Sequence, residues 1–161
     1  MPNSPLKYIG YTIACQEVPD EVSIVFNISD CPYKCRGCHS QYLWEYVGEY
    51  ISEDIESVLS QYDGLATCVC MMGGDQNLPE LKLLLEKCKS YGFKTCIYSG
   101  SNDVELFRDM YDLIDYLKIG EYKEELGGLD SKETNQRFYK KNNLNEYEDI
   151  TYLFQNYKLI L

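Results

Sequence analysis

Apolar positions along the chain change period several times, and the changes mark out strands and helices in alternation. Lys7 to Ala14 alternates weakly, and Val22 to Ile28 (Val-Ser-Ile-Val-Phe-Asn-Ile) is rich in β-branched residues. Both are expected to be strands, joined by a polar turn around Pro19-Asp20. Ser52 is placed to cap a helix, with Glu53 and Asp54 in its favourable first turn and Ile55, Val58, Leu59 and Tyr62 on one face before Gly64 stops it. Ala66 to Met72 is a short apolar run ending in Gly73-Gly74-Asp75. Beyond it, Pro79 sits near a helix start, and Leu81, Leu84, Leu85 and Cys88 keep helical spacing up to Gly92. The pattern then repeats: Lys94 to Tyr98 predicts a strand and Ser99-Gly100 a turn. Asn102 with Glu105 suggests a capping box for a helix carrying Leu106, Phe107, Met110, Leu113 and Ile114, and Tyr116 to Ile119 a further strand.

Strands alternating with helices of this length predict an α/β fold, a mostly parallel curved sheet with right-handed crossovers. Ligand-binding groups of such sheets lie in loops beyond the C-terminal ends of the strands, where the segments after Ile28, Met72 and Tyr98 are expected. A closed eight-fold barrel needs about 250 residues. With 161, this chain is expected to form a partial, open (β/α) barrel whose open side admits a macromolecule. After Gly120 the pattern weakens into Glu121 to Asp130 and the polar run Ser131 to Asn145, which suggests a surface loop with little core of its own. Tyr152 to Leu161 is compatible with a last strand or with a docked tail. We therefore expect one domain over 1–161, with a core at about 7–120 and a C-terminal extension, 121–161, that contacts a partner.

Composition narrows the function class. Lys and Arg number 15 against 26 Asp and Glu, a formal net charge of −11. That argues against a general polyanion binder, and so against a nucleic-acid partner, because such affinity rests on cations that neutralise phosphates. The acidity serves solubility or steers a basic protein partner. The 16 tyrosines are scattered, as core filling would have them. No apolar stretch approaches the ~20 residues of a membrane helix, and Met-Pro-Asn-Ser-Pro lacks the features of a secretory signal. The eight cysteines are accordingly expected to be thiols and ligands in a reducing cytoplasm.

Three of those cysteines carry the chemistry. Cys31, Cys35 and Cys38 lie in Asp30-Cys-Pro-Tyr-Lys-Cys-Arg-Gly-Cys-His39, directly after the second expected strand. One irregular loop, interrupted by Pro32 and Gly37, can wrap a cuboidal cluster with these three thiolates. A 4Fe-4S cluster that only carries electrons takes four cysteines, so three imply an iron left open for a small molecule. A competing arrangement is a structural Cys₃His zinc site with His39 as fourth ligand, or one that draws in Cys68 and Cys70. It is disfavoured because the side chains of Cys38 and His39, as neighbours, diverge, and because Cys68 and Cys70 are better read as small buried residues of a core strand. Cys15, Cys88 and Cys96 are read as core or incidental thiols.

The motif, its place after an early strand, and the Gly-Gly-Asp turn two units later resemble the radical S-adenosylmethionine (radical SAM) superfamily. Within it, Cys-Arg-Gly-Cys-His, Met-Gly-Gly-Asp75, Tyr98-Ser-Gly100, Leu117-Lys-Ile-Gly-Glu-Tyr122 and Thr134-Asn-Gln-Arg137 resemble the activating proteins of anaerobic ribonucleoside-triphosphate reductase. The resemblance spans roughly Ser23 to Tyr139. It implies an open barrel of the radical SAM type, one 4Fe-4S cluster on Cys31, Cys35 and Cys38, and S-adenosylmethionine as cosubstrate. Gly37, Cys38, His39, Gly73, Gly74, Asp75, Tyr98 and Ser99 would border the nucleotide, with the Gly73-Gly74 turn approaching its methionine end. No side chain acts as a general base in this picture, since the implied chemistry is homolytic. Reductive cleavage would yield methionine and a 5′-deoxyadenosyl radical that takes hydrogen from a glycine Cα of the partner reductase. An electron donor such as flavodoxin is implied as second partner. Gln76-Asn77 stand where the usual turn continues with proline, and Tyr33, Lys34 and Arg36 are placed to tune or cover the cluster. Activation of another glycyl-radical enzyme of the pyruvate formate-lyase type, a small-molecule reaction on a purine-like substrate and a non-catalytic zinc module stay open as alternatives.

Overall fold

A computed structural model describes residues 4–156. Its centre is one eight-stranded sheet. The strands are β1 (Lys7–Ala14), β2 (Ser23–Ile28), β3 (Glu49–Tyr50), β4 (Cys68–Met72), β5 (Lys94–Tyr98), β6 (Tyr116–Ile119), β7 (Arg137–Lys141) and β8 (Tyr147–Asp149). The helices are α1 (Ile51–Gln61), α2 (Leu78–Ser90) and the short α3 (Tyr152–Asn156). Across the sheet the order is β3-β1-β2-β4-β5-β6-β7-β8.

This corrects the expected architecture. Only the pairs β2·β4, β4·β5 and β5·β6 are parallel, while β1·β2, β1·β3, β6·β7 and β7·β8 are antiparallel. The fold is a mixed sheet with few helices, and the mostly parallel curved sheet of a partial, open (β/α) barrel of the radical SAM type does not form. The physical reason lies at both flanks. The eight-residue connection 15–22 carries no helix and lets β1 pair back onto β2, and the polar segment after β6 folds into the β7·β8 hairpin instead of a helix, so neither flank supplies the crossover that a parallel neighbour requires.

Alternation along the strands sorts side chains onto two faces. Ile24, Phe26, Ile28, Val69, Met71, Ile97, Leu117 and Ile119 pack on one face with Ile51, Ile55, Val58 and Leu59 of α1 and Leu81, Leu84, Leu85 and Cys88 of α2. Val25, Cys68, Cys70, Cys96, Tyr116 and Phe138 pack on the other with Val18 and Ile150. β4, buried on both faces, accordingly reads as an unbroken apolar run.

Several local expectations shift. Ser52 is not the cap of α1, whose first residue is Ile51 and whose N-cap, Tyr50, makes no side-chain capping bond. The Ile51 N–H is instead satisfied by the Leu6 carbonyl (3.2 Å), because β3 pairs with β1 and carries the chain straight into the helix. Asn102 is not the cap before Glu105. Asp103 accepts from the Glu105 N–H (2.9 Å), Asn102 accepts from Glu121 N–H, and Val104–Leu113 winds as 3-10 helix with a kink at Met110. The run 131–145 contains β7 and the start of a hairpin, and Phe138 is fully buried. Its strand signal is masked because Phe138 is the one fully buried residue of β7 and the polar Arg137, Lys140 and Lys141 surround it in sequence. Of the segment 152–161, α3 is helical; residues 157–161, like Met1 to Asn3, lie outside the described residues. Among the described residues no helix is long and apolar enough to cross a membrane.

Candidate functional site

The C-terminal ends of β2, β4, β5 and β6 open into a cleft of about 200 Å³. Its wall includes Cys31, Cys35 and Cys38 from the loop after β2, Gly73, Gly74 and Asp75 after β4, Tyr98 and Ser99 at the end of β5, and Lys118 and Gly120 at the end of β6. Eight of the residues expected at the site therefore meet in one place, although they are scattered over some seventy positions of the chain. Gly37 and His39 do not line the cleft. An added Cβ at Gly37 would lie 3.1 Å from the Glu124 side chain, and the His39 ring stands edge-on to Tyr122 at 5.7 Å.

The cysteine loop is shaped by its backbone. Asp30, Lys34 and Gly37 all take positive φ, so the chain reverses repeatedly between ligands. Cys31 N–H donates to Leu43 O (2.9 Å) and Cys38 N–H to Cys35 O (3.1 Å), and Ser40 N–H reaches the Cys38 sulfur (3.3 Å). Burial pushes the Cys31 thiol up, and the amides of Tyr33 and Lys34, donating to it, pull the other way. All three cysteines are free and half-buried. Amide donors directed at sulfur are what cluster-bound thiolates use.

The remaining wall is charged on two sides. Asp75 accepts from Tyr33 Oη (2.6 Å) and from Ser99 Oγ, both through Oδ2. Burial raises its carboxyl above the ordinary value, with the two hydroxyl bonds and the Lys118 charge opposing. Lys118 is buried in an otherwise apolar strand, donating to Ser99 O (3.2 Å) and Gly120 O (2.8 Å). Burial pushes its ammonium down to about 8, against the field of Cys35, Asp75, Cys31 and Cys38. Gln76 Nε2 donates to Ser29 O (2.7 Å). Three wall residues carry a buried polar atom with no partner: Asp75 Oδ1, Gln76 Oε1 and Trp44 Nε1. Buried polar atoms are nearly always satisfied, so these orphans fit a polar ligand.

Gly74 has φ of +110°, a backbone that other residues rarely adopt, and an added Cβ would lie 3.0 Å from Leu81 Cδ1 of α2. Lys118 and Trp44 were not singled out from the sequence. A lysine inside Tyr-Leu-Lys-Ile was the available signal for the first, because a charged residue in a buried strand needs a reason.

Among the described residues no three His, Cys, Asp or Glu side chains converge as ligands of a single metal ion. His39 stands against Tyr122 outside the cleft wall, and Cys68 and Cys70 lie in the apolar core of one sheet face, apart from the cysteine loop. A cubane makes another demand, since its three thiolates sit on three separate irons. A loop carrying three half-buried thiols around one cleft, with amides aimed at two of them, fits that demand.

A family model described as "4Fe-4S single cluster domain" matches residues 21–144. No curated protein and no solved structure matches the chain.

Proposed function

Since the chain belongs to the 4Fe-4S single cluster domain family, we propose that Cys31, Cys35 and Cys38 hold one cluster with an open iron, and that the protein is a radical SAM activase. Its target in this reading is an anaerobic ribonucleoside-triphosphate reductase, on which it generates a glycyl radical. The observation that carries the reading is the company the three thiols keep. One cleft joins them to a buried carboxylate, Asp75, and a buried ammonium, Lys118. An α-amino acid is a zwitterion, and a site offering one charge of each sign beside an open metal is complementary to it.

When bound, the cluster would supply one electron to the sulfonium of S-adenosylmethionine, releasing the fragment that abstracts hydrogen from glycine. The chain's own contribution is to bind and orient. Asp75 would receive the ligand's ammonium and Lys118 would face its carboxylate, each already held by neighbours and so at little ordering cost. Tyr98 and Ser99 would close the wall above β5, and the half-buried position of the cysteine loop would limit water at the cluster. Thr134 to Arg137 leads into β7, where Gln136 reaches the cleft and Arg137 is exposed to a protein partner.

Anaerobic reconstitution tests this. With a reductant and the reductase present, the expected result is an electron paramagnetic resonance signal for the reduced cluster, release of methionine and 5′-deoxyadenosine, and a glycyl radical on the reductase. An assembled cluster that never cleaves the sulfonium would defeat the reading. Substituting pyruvate formate-lyase for the reductase separates the two classes of target. About one zinc per chain with no labile sulfide, after anaerobic purification, would support a zinc module instead.

A further inference from the structure

Tyr33 lies inside the cysteine motif, between two ligands, yet its contacts are with the opposite wall of the cleft. Its hydroxyl donates to Asp75 Oδ2 (2.6 Å). Its ring packs against Gly100, where an added Cβ would come within 2.6 Å of Tyr33 Cδ2 and 2.7 Å of Cγ. No side chain other than hydrogen fits there, which gives the Tyr98-Ser-Gly100 turn a purpose. Ser99 Oγ, from the same turn, donates to the same Oδ2 and in turn accepts from the Ser101 N–H (2.9 Å). Asp75 is thereby held through one oxygen by two hydroxyls, and its other oxygen, Oδ1, is buried beside the cleft with no partner.

We propose that Tyr33 is a positioning residue: a latch that ties the cluster loop to the end of β5 and, with Ser99, locks Oδ2 so that Oδ1 is the one carboxylate oxygen left for a ligand ammonium. The inference rests on the S-adenosylmethionine reading above. It adds a coupling between cluster loop and amino-acid subsite, because the residue that orients Asp75 is also a residue of the loop that binds the iron. A carboxylate free to rotate would offer either oxygen in several orientations and would bind an ammonium more weakly. A carboxylate pinned by two charge-assisted bonds has paid its ordering cost in advance.

The test compares anaerobically reconstituted wild type, Tyr33→Phe and Ser99→Ala. Iron and acid-labile sulfide per chain are measured first. Equilibrium dissociation constants follow for S-adenosylmethionine and for 5′-methylthioadenosine, which keeps the nucleoside and sulfur but lacks the ammonium. Tyr33→Phe is expected to retain the iron and sulfide of wild type and to bind S-adenosylmethionine about tenfold more weakly, the loss typical of a hydrogen bond to a charged group. Binding of 5′-methylthioadenosine should be unchanged, and Ser99→Ala should show the same selective loss. Equal weakening of both ligands, or no weakening of either, overturns the latch. Wild type that loads its cluster but binds no S-adenosylmethionine overturns the function reading, and the latch with it. Wild type that binds while Tyr33→Phe binds equally well overturns the latch alone.

Discussion

At the scale of single residues, the cleft separates groups that touch a ligand from groups that hold the backbone in place. Cys35 belongs to the first kind. Cys35→Ala is expected to leave the chain folded, since the thiol is half-buried outside both apolar clusters, and to cut iron and sulfide after reconstitution to a small fraction of wild type by colorimetric assay. Gly74 belongs to the second. Its φ of +110° and the 3.0 Å approach to Leu81 predict that Gly74→Ala costs about 1–3 kcal/mol in urea unfolding, even in protein that carries no cluster. Glu21 makes a third case, away from the site. Burial alone would raise its carboxyl, but bonds from Lys94 (2.9 Å) and Tyr116 Oη (2.7 Å) outweigh burial and hold it below its ordinary 4.5. A depressed carboxyl contributes stability that is present above its unfolded value and is lost as pH falls through the folded one. Thermal melts from about pH 6 down to about pH 3 should therefore fall less steeply in Glu21→Gln than in wild type.

At the scale of elements, helix starts are fixed by whichever acceptor the tertiary fold brings within reach. α1 needs no side-chain cap because the edge pairing of β3 with β1 places the Leu6 carbonyl over its first N–H. α2 does use one. Asn77 accepts from the Glu80 N–H (3.2 Å), while Glu80 Oε2 takes the Leu6 N–H (2.6 Å) and the Asn77 side-chain amide (3.2 Å). Asn77→Ala removes the cap and the bond to Ser4 O together, and is expected to lower unfolding free energy by about 1–2 kcal/mol in urea titration. Since α2 follows the Gly73-Gly74-Asp75 turn, the same change should also loosen that side of the cleft.

At the scale of the whole molecule, the two sheet faces differ in what covers them. α1, α2 and the 3-10 segment cover one, and the other closes over Phe138 of β7, which contacts Tyr98 (5.8 Å), Tyr116 (6.1 Å) and Phe154 (4.9 Å) ring to ring. Tyr98 lines the cleft, so the C-terminal hairpin braces the site from behind. Phe138→Ala is expected to cost about 3–5 kcal/mol, as deletion of a buried aromatic does, measured by anaerobic thermal or urea unfolding. The parallel strands at the centre put four loops at one end of the sheet, and that convergence makes one site from segments scattered from Cys31 to Gln136.

By itself the sequence determined the local and the covalent. Period-2 and period-3.6 apolar patterns marked β1, β2, β4, β5, β6, α1 and α2, because burial on one face writes itself directly into residue order. The spacing of Cys31, Cys35 and Cys38 marked the ligand loop, because three thiols eight residues apart or closer are bound together by the chain alone. Only the tertiary structure decided strand direction at the flanks, since β7 and β8 are short, partly exposed and rich in charged residues, and the energy that holds them comes from pairing across the sheet. It likewise decided that Tyr33 meets Asp75 and Gly100, and that Lys118 is buried at the cleft. The contacts of Tyr33 join residues 42 or more positions apart, and no local pattern encodes which distant partner a side chain will find.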